Sequence, residues 1–98
     1  MKRIILLAAL FAFGAHAETK SEMCAIYAKT VQNIAVARDN ATPMGQVINI
    51  INQSKVSDQD KELLSKVTVV IYNAPSYIKE DVYRDSFSVC INGNSRGL

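Results

Sequence analysis

The sequence holds one histidine in 98 residues, His16, and that residue falls among the first seventeen. The remainder has no imidazole, so a Ser-His or Cys-His relay lacks its base and a zinc site lacks its usual ligand. Cysteine is equally scarce. Cys24 and Cys90 are the two present, too far apart in the chain to form a Cys-x-x-Cys redox pair. The four glycines build no phosphate-cradling loop. No apolar run approaches the roughly 18 residues that a bilayer-spanning helix needs. An excess of one charge is missing as well. Of the 11 Lys and Arg, two are Lys2 and Arg3, so nine bases face nine acids beyond residue 17. No basic stripe follows that could track a phosphate backbone, and no polybasic run that could hold anionic lipid. Both absences argue against nucleic acid and against a charged membrane surface as partners.

What is present begins with an export signal. Lys2 and Arg3 form a positive start, residues 4–13 are an apolar run of ten, and Ala15, His16 and Ala17 supply the small-x-small cleavage pattern. The competing reading is an uncleaved anchor, which the short apolar run disfavours. The expected organisation is a signal peptide over 1–17, cleaved after Ala17, a helical domain over 18–93 and a flexible tail over 94–98. No stable membrane anchor is expected after cleavage, and the expected location is the periplasm.

A domain of about 80 residues buries only some 60% of its unfolded surface, so a covalent staple is useful. Export would place Cys24 and Cys90 where disulfides persist. Two cysteines permit one intramolecular bond. Two unpaired buried thiols or an intermolecular bridge are the alternatives, and compartment and even count favour the intramolecular bond.

Caps and stripes predict four helices. Thr19 and Glu22 fit a capping box, and Met23, Tyr27, Val31 and Ile34 recur on one face, with Cys24, Ala28 and Ala35 beside them. Arg38, Asp39 and Asn40 end this helix. Thr42 is expected to cap a second helix with Pro43 at its first position and Met44, Val47, Ile48 and Ile51 as its apolar face. Ser57 caps a third, with Asp58 and Asp60 where the helix dipole favours acids. Its stripe is Leu63, Leu64, Val67, Val70, Ile71 and Ala74. The β-branched residues 67–72 also suit a strand, but the cap and the sustained period favour helix. Pro75 stops it. The fourth helix is expected from Ser76 to Ile91, with Ile78, Val82, Ser86 and Val89 on one side and Asn92 and Gly93 as its end. Tyr27 and Tyr83 are assigned to the core. Four helices on short loops alternate in direction, which brings Cys24 and Cys90 to one pole. The expected fold is all-α, a small four-helix bundle with one disulfide linking first and last helices.

Chemistry is sparse. Asp58, Asp60 and Glu62 alternate like cation ligands, yet the glycine and the distal bidentate Glu of an EF-hand are missing, and a dipole-matched helix start explains them. Glu80, Asp81 and Asp85 suit a solvated helix face better than acid–base work. The sequons at Asn40 and Asn52 matter only in a eukaryotic secretory pathway and serve equally as loop and helix end. No catalytic residue, metal ligand or cofactor is expected. The candidate partner-binding segment is Tyr72, Asn73, Pro75, Ser76 and Tyr77, two tyrosines around a rigid turn. Its competing reading is a packed corner between the third and fourth helices.

A leader, two helix hairpins and a cysteine near each end resemble a class of small exported proteins of Gram-negative bacteria. The same layout is loosely similar to periplasmic immunity proteins that neutralise type VI secretion amidases. That resemblance implies a non-enzymatic protein that binds another protein by inserting a loop into its cleft, here residues 73–77. The layout is also similar to acid-stress chaperones of the Hde class, although the lysine-rich termini of that class are missing and the cysteine spacing is longer. For those chaperones acid-driven charge repulsion would expose the apolar stripe over 63–71. A small hydrolase and a subunit of a larger envelope assembly complete the readings. The sequence leaves the oligomeric state open.

Overall fold

Thr19 opens the first helix as its context dictates. Its hydroxyl accepts the Glu22 N–H at 3.0 Å while the Glu22 carboxylate accepts the Thr19 N–H at 3.1 Å, a complete capping box. In the computed structural model, which describes residues 19–93, helix α1 spans Lys20–Asp39, α2 Met44–Gln53, α3 Asp58–Tyr72 and α4 Lys79–Ile91. The expected leader over 1–17 and tail over 94–98 lie outside the described residues. Among the described residues no strand occurs, so the strand alternative for 67–72 falls and α3 continues through it. The fold is the all-α four-helix bundle that caps and stripes indicate.

Helix α1 is the hub. It packs against α4 most extensively, and also against α3 and α2, while α2 packs on α3. Because neighbours lie on several sides, burial on α1 is broader than one stripe. Cys24, Ala28, Val31, Ile34, Ala35 and Ala37 are all buried. Met23, read as the start of the core face, is exposed at 56%, while the adjacent Cys24, on the side that α4 covers, is buried. Thr30 and Thr68 are buried polar residues that periodicity alone does not select. Each donates its hydroxyl to the carbonyl one turn back, Ile26 at 2.9 Å and Leu64 at 2.7 Å, so neither needs water. Tyr27 is in the core as expected, and burial pushes its phenol up to about 12.

The first correction concerns Thr42. It does not cap α2. Pro43 occupies that position, without a side-chain cap, and the helix begins at Met44. The reason lies in how α1 ends. Ala41 takes φ +64°, its N–H donates to the Arg38 carbonyl, and the Thr42 N–H donates to the Ala37 carbonyl. This is a Schellman closure, and it commits Thr42 to α1, where it is buried. The left-handed position belongs to glycine by sterics, and alanine there is strained. Ala41→Gly is therefore expected to stabilise the domain by about 0.5–1 kcal/mol, net of the added freedom of the unfolded chain. Thermal unfolding followed by circular dichroism should show a rise of several degrees, about 4–8 °C per kcal/mol for a domain of this size. An unchanged or lowered midpoint would contradict the assignment.

The second correction concerns α4. It starts at Lys79 rather than Ser76, with extended Ile78 as its uncapped N-cap. Residues 73–78 form a turn instead, and Ile78, read as a core position, stands 52% exposed. At the other end Asn92 and Gly93 close α4 as expected, Gly93 at φ +81°. The Cys24–Cys90 disulfide joins the first turn of α1 to the last turn of α4, with Cα atoms 5.4 Å apart. It points to an oxidising location outside the reducing cytosol. Among the described residues no helix is long and apolar enough to cross a membrane.

Candidate functional site

The turn between α3 and α4 is built from one side chain that the sequence reading passed over. Arg38, in the last turn of α1, has its side chain 9% exposed and points into the turn. Its Nη1 donates to the Ile71 carbonyl at 3.0 Å and to the Ala74 carbonyl at 2.9 Å, and its Nη2 donates to the Tyr77 carbonyl at 2.9 Å. Asp39 accepts from Nε at 3.1 Å and balances the charge. The Ile71 and Ala74 carbonyls also accept backbone N–H groups, from Ala74 at 3.2 Å and from Tyr77 at 2.9 Å, so the guanidinium takes up their remaining acceptor capacity and answers the partial negative charge at the C-terminal end of α3. Arg38 thus caps α3 from a different helix. A signal for this existed: alternating helices bring the ends of α1 and α3 to the same pole, where the partial negative charge of a helix C-terminus favours a cation.

The two tyrosines of the candidate segment brace the turn from either side. Tyr72 donates its hydroxyl to the Thr42 carbonyl at 2.6 Å, tying the end of α3 to the link between α1 and α2. Tyr77 donates to Asp85 Oδ2 at 2.5 Å, tying the turn to α4. Burial is the main cause that raises both phenols, with the Asp85 bond and charge pushing Tyr77 further, to about 12, and Arg38 opposing the rise at Tyr72. The bond from Tyr77 lowers the Asp85 carboxyl, and Arg84 adds to this, so Asp85 is ionised at neutral pH. With the folded value depressed, this contribution is complete above the unfolded carboxyl value and is lost as pH falls through the folded one. The two aromatic rings are half-buried and packed against the core, while Asn73, Pro75 and Ser76 are exposed. The structure brings all five residues of the candidate segment into one turn, with the tyrosines as buttresses and the other three as its tip.

Beside the turn runs a groove that the sequence did not reveal. α3 and α4 both lie on α1 but barely touch each other. The gap between them holds about 400 Å³, with Val31 of α1 among its lining residues and Leu63, Val67, Val70 and Val89 along its sides. Tyr77 and Asp85 also line it. Val70, assigned to the core by periodicity, is 60% exposed here, because the helix that would cover it is missing from that side.

Acidic residues occupy the positions their local roles require. Ser57 accepts the Asp60 N–H at 3.1 Å, and Asp58 and Asp60 fill the first turn of α3. Glu62 pairs with Lys66 one turn on, and Arg84 pairs with Asp81 and Asp85. Among the described residues no group of three or more His, Cys, Asp or Glu converges as a metal site would. Of the sequons, Asn40 caps the end of α1, and Asn52 is exposed near the end of α2 with Ser54 as its C-cap. Comparison with known proteins finds no family model, no curated protein and no solved structure that matches this chain.

Proposed function

We propose that this chain is an exported, non-enzymatic binding protein of the periplasm that presents the α3–α4 turn to a protein partner, in the manner of an inhibitor or immunity protein. The observation that carries the reading is the Arg38 fork. It holds the carbonyls of Ile71, Ala74 and Tyr77, on both sides of the exposed tip at Pro75 and Ser76. A loop ordered before binding loses little conformational freedom on docking, which removes one of the costs of loop-mediated recognition. The apolar leader, the disulfide and the balanced charge agree with an exported domain whose partner is a protein rather than a polyanion.

The test is capture of a partner by the tagged mature domain from periplasmic extract, in parallel with two variants. Ser76→Arg alters the tip, and Lys55→Ala alters an exposed residue of the α2–α3 link, in a different loop. The expected result is one protein retained by the wild type and by Lys55→Ala and lost with Ser76→Arg. Equal retention by all three would move binding away from the turn.

A further inference from the structure

We infer that α3 is a self-association face, and that the groove between α3 and α4 of one copy receives the α3 ridge of a second copy across a two-fold axis. This rests on observations separate from the turn. A two-fold contact uses one patch twice, so the patch must carry both a recess and something that fills it. α3 carries both. Leu63 and Val70 line the groove, and Val70 also projects from it, 60% exposed. The floor is apolar, with Val31 and Val67 buried beneath it, and on the opposite side α4 offers half-buried Val89 together with Asp85, whose carboxylate is already engaged by Tyr77 and Arg84.

Charge selects the occupant. The α3 side bears Glu62 and Lys66, opposite in sign and one turn apart, with side chains 70% and 73% exposed and 3.6 Å from each other. An exposed pair of this kind contributes little within its own helix, so exchanging partners costs little. A partner of one sign would satisfy one of the two and repel the other. A second copy presents both, and a two-fold axis sets Glu62 of each copy towards Lys66 of the other. Net charge does not oppose the approach. Among the described residues six Lys and two Arg balance three Glu and five Asp.

Sedimentation velocity of the oxidised mature domain, from micromolar to near-millimolar concentration, tests this. The weight-average mass is expected to rise towards twice that of the monomer. Val70→Asp, at a position exposed enough to leave the fold intact, should weaken association at least ~10-fold. Glu62→Lys and Lys66→Glu should each weaken it about 10-fold by setting like charges against each other across the axis. The double exchange, Glu62→Lys with Lys66→Glu, should return it to near the wild-type value. Thermal midpoints of the same variants, taken at a concentration where all are monomeric, separate loss of the pair within one helix from loss of the contact between copies. A monomer at every concentration would overturn the inference. So would a dimer indifferent to Val70→Asp, or a double exchange no better than the single ones.

Discussion

Arg38→Ala is expected to destabilise the domain by about 3 kcal/mol. The guanidinium serves three carbonyls that lie at the C-terminal end of α3 and in the turn that follows. A hydrogen bond to a charged donor contributes about 1.5–3 kcal/mol, while the Ile71 and Ala74 carbonyls keep their backbone N–H partners when the side chain is removed. The sum is tempered because carbonyls at a turn regain water once the side chain is removed, which places the net loss near 3 kcal/mol rather than at the upper bound. For a small domain with about 5–15 kcal/mol in total, that is a large share. Arg38→Lys separates charge from geometry. An ammonium keeps the positive charge but loses the planar fork, so it should recover only part of the loss. Urea unfolding of the three proteins gives the comparison. If Arg38→Ala lies within about 0.5 kcal/mol of wild type, the ordinary range for an unremarkable surface change, then the fork is not holding the turn. If the turn is the docking element proposed above, the same variant should also weaken partner capture, even though no exposed tip residue has changed.

Replacing both cysteines, Cys24→Ser with Cys90→Ser, is expected to cost about 4 kcal/mol. The bond spans a sequence separation of 66, which encloses nearly the whole described chain. In the chain-entropy description a loop of that length restricts the unfolded ensemble by about 4 kcal/mol, and most of this stabilisation belongs to the unfolded state rather than to contacts in the folded one. The double variant leaves two small polar groups at a site where Cys24 is 1% exposed, which adds a lesser packing loss. Reduction of the wild type should lower the urea midpoint in the same direction, without the change in side-chain chemistry. A loss below about 1 kcal/mol in both experiments would mean that the unfolded chain is already compact enough for the bond to restrict little.

Local signals carried most of the fold. The Thr19 box and the Ser57 cap are short-range chemistry, and both stand as the sequence implies. The meeting of Cys24 and Cys90 followed from counting helices, because direction alternates whatever the side chains are. Long-range packing was not legible. Periodicity gave Leu63, Val67, Val70 and Ile71 equal weight, since a stripe shows which face is apolar and not where the neighbouring helix stops. Val70 is exposed because α4 keeps away from α3, and nothing within residues 58–72 encodes that. Thr42 misled for a related reason. Its residue type suits an N-cap, but the end of α1 claimed it first through the left-handed turn at Ala41. At the candidate site the sequence marked the turn and its tyrosines. It did not mark what fixes them, because Arg38 lies more than thirty positions away from the carbonyls it serves.

The position of α1 has a consequence for the order in which the chain can acquire structure. The helix that touches all three others is the first of the four to leave the ribosome, and its most extensive partner, α4, is the last. A chain delivered from its N-terminus therefore exposes Val31, Ile34 and Tyr27 until α3 and then α4 arrive, with no earlier pairing able to shield them fully. Contacts of such high sequence separation form late and slowly. The N-terminal half alone should thus be an aggregation-prone species, and the interval before α4 emerges is when this protein most needs a holding factor.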